Sequence, residues 1–183
     1  MKLFHTSPAA ITEINAYGRF GEFLFFSDDV YVTTAGEHVV YGINLEDSDI
    51  IEASQLFYHE DVDKLTGLVE KVMGIVGCDE DTAEELIAQR EDVHSIDCDI
   101  EPEDLADASW DIQAITAQAA KLLGFRGVEV QDEQGDVDSF PQIALVVQQV
   151  EGTAQPVAEL DLAQVADVEL GRVGRQPAGR GIG

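Results

Sequence analysis

The sequence has few basic residues, two cysteines and no long apolar run. It contains 10 lysines and arginines against 37 acidic residues, which gives a formal net charge of −27. A protein with this charge repels nucleic acid and anionic membranes and is attracted to basic surfaces. We therefore expect neither direct nucleic-acid binding nor membrane association, and we expect any partner to present a basic surface.

The cysteines, Cys78 and Cys98, do not form a CxxC pair. Two cysteines are too few for a disulfide framework, so we interpret them as reduced thiols. The amino terminus carries no apolar signal segment, and no apolar run approaches the ~20 residues of a membrane-spanning helix. These absences predict a cytoplasmic protein.

Several catalytic and binding signatures are also missing. The chain has no Gly-rich dinucleotide or phosphate loop, no HExxH motif and no GxSxG motif. Asp79, Asp81 and Glu84 lack the central glycine and the closing glutamate of a calcium loop. We interpret them as the acidic first turn of a helix, where the helix dipole favours negative charge, and we predict no metal site.

Apolar periodicity predicts strands, then helices, then strands. The predicted strands cover residues 3–5, 22–26, 38–45, 127–132 and 143–150, with a further one between 157 and 170, and the predicted helices cover residues 65–76, 82–90 and 102–123. In the strand at 38–45, alternation places Val39, Tyr41, Ile43 and Leu45 on one face. This order indicates an α+β domain with mostly antiparallel pairing.

Local signals set the predicted helix ends. Thr82 with Glu85 is typical of a capping box, and Pro102 suits the first turn of the third helix. Gly77 and Gly124 stand where helices end. The predicted inner stripe of the third helix is Leu105, Ala108, Ile112, Ile115, Ala119 and Leu122.

The sequence divides into a domain at residues 1–150 and a carboxy-terminal extension at 151–183. Residues 171–183 contain Arg172, Arg175 and Arg180 together with glycines and no acidic residue. This composition predicts a disordered basic tail.

Three segments carry candidate functional side chains. His5 stands at the end of the first strand and is followed by Thr6 and Ser7, while Phe26 and Tyr31 flank an aromatic-Ser-acid turn after the second strand. Acidic residues 132 and 133 follow a late strand that begins after a Gly-aromatic-x-Gly turn. Each segment alone is more typical of a structural role than of a functional one.

The order of these segments resembles the ADP-ribosyltransferase fold, in which a His, an aromatic residue and an acid come from three separate strands. The longer strings resemble the mono-ADP-ribosyltransferase anti-CRISPR proteins that act on type I-F systems. The resemblance covers residues 5–135 and rests on HTSP (5–8), GRFGEFL (18–24), TAG (34–36), FYHE (57–60), CDEDTAEEL (78–86) and GFRGVEVQDEQG (124–135).

The resemblance implies NAD as the ADP-ribose donor and a set of site residues. His5 would hydrogen-bond a ribose hydroxyl of NAD, and Thr6 and Ser7 would line the strap that holds the carboxamide. Either Phe26 or Tyr31 would stack on the nicotinamide ring.

The catalytic acid remains open between two neighbours. Continued alternation would place Asp132 on the apolar face of Val128 and Val130, and an acid that interrupts such a face needs a reason. Read as a Gln-x-Glu pattern, the same stretch would make Glu133 the catalyst. We favour Asp132 and keep Glu133 as the alternative.

Arg19 is a candidate for the NAD pyrophosphate. Among residues 1–63 the only lysines and arginines are Lys2 and Arg19, and Arg19 lies between two glycines near the aromatic strand. Such a placement suits a phosphate contact, although an arginine retained for solubility is an equally good interpretation.

The sequence thus predicts an NAD-dependent mono-ADP-ribosyltransferase. The resemblance implies a target on the DNA-binding surface of a type I-F CRISPR surveillance complex, whose DNA recognition the modification would block. Two alternatives stay open. A charge of −27 also suits a non-enzymatic DNA mimic, and an NAD glycohydrolase would need no protein acceptor.

Overall fold

A computed structural model describes residues 1–8, 23–28, 30 and 38–130, and the backbone of 142–146. The strands are β1 (Lys2–Ser7), β2 (Phe23–Ser27), β3 (Val39–Asn44), β4 (Ile50–Glu52), β5 (Gly127–Val130) and β6 (Gln142–Val146), and the helices are α1 (Thr66–Val76), α2 (Glu80–Ile87) and α3 (Leu105–Leu123). The predicted α+β class is confirmed. The predicted strand between 157 and 170, the extension and the tail lie outside the described residues.

The six strands form one sheet in the order β3-β1-β2-β6-β5-β4. Every pair in it is antiparallel except β4 and β5, which run parallel with Ile51 opposite Val128. The parallel pair requires a crossover, and the three helices lie in that connection. The prediction of mostly antiparallel pairing is confirmed, but β4, only three residues long, was not predicted.

Helix α1 follows its predicted pattern. Its apolar side chains recur at helical spacing, and Leu68, Val69, Val72 and Val76 are buried. The helix ends at Gly77, whose φ of 75° lies in the left-handed region that glycine tolerates best. A Cβ at this position would also lie 3.1 Å from a carboxylate oxygen of Asp99, so a side chain here meets both backbone strain and crowding.

The predicted capping box of α2 is wrong. The N-cap is Asp79, whose carboxylate accepts a hydrogen bond from the backbone N–H of Thr82 at 2.9 Å. Thr82 is therefore the third helical residue rather than the cap, because an Asp three residues earlier already satisfies its N–H. The helix ends at Ile87, short of the predicted Arg90, and Gln89 follows with φ 53°. Of the three acids predicted for the first turn, Asp81 lies there, whereas Asp79 is the cap and Glu84 lies in the second turn.

Helix α3 begins later than predicted. Pro102 lies in a turn, and the first helical residue is Leu105 after Asp104. The helix ends at Gly124, with φ 97°, as predicted. In the predicted inner stripe, Leu122 is wrong: it is 41% exposed, and Leu123 is buried instead. The predicted stripe alternates steps of three and four residues, about 3.5 per turn, so it drifts around a helix of about 3.6 residues per turn and the buried position moves by one over 19 residues.

The helices cover one face of the sheet and form the main core with it. Phe23 of β2, Ile51 of β4, and Val128 and Val130 of β5 face this core. A smaller cluster around Leu3, Phe26 and Leu45 lies on the other face. Within the described ranges, no helix has the length and apolarity to cross a membrane.

Candidate active site

The candidate site lies on the sheet face opposite the helices. In β1, Leu3 pairs with Ile43 and His5 pairs with Tyr41, so these side chains share one face. Leu3 belongs to the smaller cluster, together with Phe26 of β2. The strand register therefore places His5 beside Phe26 and Tyr41, on the face that the helices leave uncovered.

A backbone carbonyl fixes the orientation of His5. The Nδ1 atom lies 2.7 Å from the carbonyl oxygen of Phe25 on the neighbouring strand. A carbonyl only accepts hydrogen bonds, so Nδ1 carries the proton and donates it. In the neutral ring, Nε2 is then an acceptor, suited to a hydroxyl donor of a ligand. The imidazole is half-buried, which limits competition from water.

Two aromatic rings flank the imidazole. The ring centroid of Phe26 lies 5.5 Å from that of His5, and the centroid of Tyr41 lies 6.3 Å away. Phe26 is 6% exposed and packs in the smaller cluster, whereas Tyr41 is half-buried. Phe26 thus supports the imidazole more than it presents an open ring. The sequence alternation identified the face of Tyr41 but not its position opposite His5, which depends on the pairing of β1 with β3.

The two hydroxyl residues after His5 point to different sides. Ser7 pairs with Val39 and shares the face of His5, while Thr6 pairs with Val40 on the helical side. Both side chains are half-buried. Of the two predicted side chains, only Ser7 therefore lies on the imidazole face, and the Thr6 hydroxyl does not extend the strap there.

The only described basic side chain of the first strand lies on the opposite face from His5. Lys2 alternates with Leu3 and places its Nζ 4.9 Å from the ring centroid of Phe4. Lys2 is therefore not positioned to meet an anionic ligand beside His5. The other candidate cation, Arg19, lies outside the described residues.

Strand β5 leads to the predicted acids. Val128 and Val130 are 0% and 3% exposed against the helices, so Glu129 between them faces the side of His5. Three strand positions separate β1 from β5, which is roughly 14 Å at normal strand spacing. Asp132, Glu133 and Tyr31 lie outside the described residues.

The described part of the chain also contains two thiols. Cys78 and Cys98 are free, as predicted, and burial raises the pKa of the Cys78 thiol, which makes it a weaker nucleophile. No group of three or more potential metal ligands occurs among the described residues.

The geometry thus contains an oriented imidazole between aromatic rings, on the sheet face opposite the described helices. A family model described as the anti-CRISPR type I-F ADP-ribosyltransferase AcrIF11 matches residues 1–148. The chain belongs to this family. It is accordingly an NAD-dependent mono-ADP-ribosyltransferase with an α+β fold of the ADP-ribosyltransferase type.

The AcrIF11 family match extends the resemblance of residues 5–135 to nearly the whole predicted first domain. No curated protein matches the chain. The family assignment gives the class of reaction, and the positions of His5, Phe26 and Tyr41 give the part of the structure that suits it.

Proposed function

We propose that this AcrIF11-family enzyme transfers one ADP-ribose unit from NAD to a type I-F CRISPR surveillance complex in the cytoplasm of a bacterial host. The observation that carries the proposal is the fixed orientation of His5 between Phe26 and Tyr41. The modified residue lies on a basic, DNA-binding surface of the complex, and its modification blocks recognition of target DNA. The net charge of −27 supports docking on such a surface.

The transfer breaks the bond between nicotinamide and ribose and forms a bond from the same ribose carbon to a nucleophile of the target. Nicotinamide leaves as a neutral molecule, and the target nucleophile loses a proton. The ribose becomes positively charged on the way, as in glycoside hydrolysis, so a nearby carboxylate lowers the barrier.

Each candidate side chain has a role in this proposal. The Nε2 atom of His5 accepts a hydrogen bond from a ribose hydroxyl and sets the position of the sugar. Ser7, and Thr6 through its backbone, line the carboxamide site. Tyr31 packs against the nicotinamide, because the ring of Phe26 is buried beside the imidazole. Tyr41 closes the other side of the imidazole.

The charged groups complete the site. Arg19 neutralises the pyrophosphate, for which the described part of β1 offers no cation on the His5 face. Asp132 supplies the carboxylate, with Glu133 as the alternative. Both follow β5, whose Glu129 faces the side of His5.

The first prediction concerns transfer by the purified full chain. With NAD and purified type I-F complex, intact-mass spectrometry should detect one added ADP-ribose on one subunit. His5→Ala should reduce the rate about 100-fold, the effect of losing one oriented polar contact to a reacting group. Asp132→Asn and Glu133→Gln should differ, and the more damaging change identifies the catalytic carboxylate.

The matched control is His94→Ala, because the His94 side chain is exposed. It should transfer at the wild-type rate, and all variants should keep the wild-type melting temperature to within a few degrees. No mass gain with NAD and complex present would contradict the proposal. Inhibition that survives without NAD would instead indicate a DNA mimic, and free ADP-ribose without a modified subunit would indicate a glycohydrolase.

A further inference from the structure

An exposed tyrosine ends the 3-10 helix that follows β4, four strand positions from the His5 strand. Tyr58 ends the 3-10 helix Ala53–Tyr58 and is 75% exposed. The other exposed large apolar residues of the described chain, Met1 and Leu122, are 53% and 41% exposed. A single exposed aromatic residue is common in proteins, so exposure alone assigns no role.

Arg90 holds the ring of Tyr58 in place. Its guanidinium carbon lies 5.6 Å from the ring centroid. Two of its nitrogens bind the Glu85 carboxylate at 2.7 and 2.9 Å, and a third donates to the carbonyl of Ser54 at 2.8 Å. The Arg90 side chain is only 26% exposed. A ring held by an arginine that is itself fixed by three hydrogen bonds loses little further conformational freedom on binding. Tyr and Arg are also typical of binding hot spots.

Acidic residues flank this pair along the chain. Residues 52–63 contain four acidic residues and no lysine or arginine. Residues 79–92 contain seven acidic residues, and their only lysine or arginine is Arg90. Glu60 and Glu91 are exposed beside Tyr58 and Arg90 in the chain. We call Tyr58, Arg90, Glu85, Glu60 and Glu91 the Tyr58 surface. Its charge suits a basic partner, and it opposes a second copy of a chain of net charge −27.

The Tyr58 surface lies several strands away from His5. The 3-10 helix follows β4, the edge strand, which lies four positions from β1 in the sheet. At normal strand spacing this is roughly 19 Å. A protein interface of standard size, about 800 Å² on each partner, is wide enough to cover such a distance while leaving the His5 face to NAD.

We infer that Tyr58, held by Arg90, anchors the enzyme on a basic surface of its protein substrate. The inference rests on the proposed transfer to the type I-F complex, and it adds a docking contact outside the NAD site. The aromatic ring supplies buried area at the centre of the contact, and the surrounding carboxylates pair with basic residues of the substrate.

The test measures binding and transfer separately with the full chain. Affinity for immobilised type I-F complex comes from biolayer interferometry, and affinity for NAD comes from calorimetry. Tyr58→Ala should weaken binding to the complex about 30-fold, the effect of removing a hot-spot side chain, and raise the KM for the complex in parallel. The Kd for NAD should not change. Tyr58→Phe should keep most of the affinity, because the ring remains.

Two further variants sharpen the result. Leu122→Ala removes another exposed apolar side chain, on α3, and should bind the complex like wild type. Arg90→Lys loses the two-pronged contact with Glu85 and should fall between wild type and Tyr58→Ala.

Each outcome decides the inference. Wild-type affinity in Tyr58→Ala would overturn it, as would an equal loss of NAD binding, which would indicate a structural role. If the wild-type chain binds the complex through Tyr58 without modifying it, the docking surface stands and the proposed transfer fails. A wild-type chain that neither binds nor modifies the complex would overturn both.

Discussion

A single hydroxyl group links two helices in the core. Ser109 and Thr116 are the buried polar side chains of the described chain, and Thr116 is fully buried. Its Oγ1 lies 2.8 Å from the carbonyl oxygen of Ile87 at the end of α2 and 3.1 Å from that of Ile112 within α3. The last carbonyls of a helix lack partners within it, so Thr116 satisfies a group that would otherwise be buried unpaired.

Replacing this hydroxyl should therefore destabilise the protein. Thr116→Val keeps the shape of the side chain but leaves the Ile87 carbonyl without its donor, which should lower the free energy of unfolding by about 1–3 kcal/mol. Urea denaturation followed by circular dichroism would measure the change. Thr66→Val is the control, because the Thr66 hydroxyl also donates to a carbonyl, that of Asp63, but at an exposed site. An equal effect in both variants would contradict the argument.

At the scale of one element, helix α2 depends on its acidic cap. The Asp79 carboxylate accepts the N–H of Thr82. Hydrogen bonding with the Thr82 side chain, and then with this N–H, lowers the pKa of Asp79. A carboxyl with a lowered pKa stabilises the fold above its unfolded pKa, and this contribution disappears as the pH falls through the folded pKa. Glu84 acts in the opposite sense, because burial, with Glu80 and Asp81, raises its pKa.

The cap should therefore make α2 sensitive to acid. Asp79→Ala should lower the melting temperature by a few degrees at neutral pH, since it removes the acceptor. Asp79→Asn keeps an acceptor oxygen and should lose less. The difference between wild type and Asp79→Asn cancels the contribution of Glu84. It should shrink as the pH falls below about 4, the ordinary pKa of an aspartate, and be lost at a pH low enough to protonate Asp79 in the folded protein. Differential scanning calorimetry across this range measures it, and a difference that persists there would argue against the cap.

The elements show which features local sequence determines. Helix α1 and its stop at Gly77 follow from spacing and from glycine chemistry, so they were predicted. Strand β1 was also predicted, but it continues to Ser7, two residues past its predicted end at His5. The cap at Asp79 was missed because two acceptable caps lie three residues apart, and only the hydrogen bond selects between them. Strand β4 was missed because three residues carry no period, and its pairing with β5 comes from residues far along the chain.

The candidate site follows the same division. His5 was predicted because a histidine at a strand end is visible in one segment. Its neighbour Tyr41 became apparent only from the register between β1 and β3, which the sequence of neither strand encodes alone. The fixed tautomer of His5 depends on the carbonyl of Phe25, and a backbone carbonyl leaves no signal in a residue pattern. The register of β1 with β3 places Thr6 and Ser7 on opposite faces, whereas the resemblance assigned them one role.

At the scale of the whole molecule, the net charge acts on stability and on recognition in opposite directions. With a net charge of −27, the folded chain repels itself, because folding brings the carboxylates closer together. Four of the described ion pairs are surface pairs such as Lys64–Asp61 at 2.7 Å, which contribute little to stability. The same charge attracts a basic partner. Screening by salt should weaken both the repulsion and the attraction.

Salt should therefore stabilise the enzyme and weaken its contact with the type I-F complex. Raising NaCl from about 0.05 to 0.5 M, which shortens the screening length several-fold, should raise the melting temperature and increase the Kd for the complex. Replacing exposed Glu101 and Glu103 by Gln should raise the melting temperature at low salt and reduce the further gain from salt. In Tyr58→Ala the Kd should rise with salt in parallel with wild type, because the ring carries no charge while the surrounding carboxylates remain. A melting temperature that falls with added NaCl would show that attractive ion pairs outweigh the repulsion.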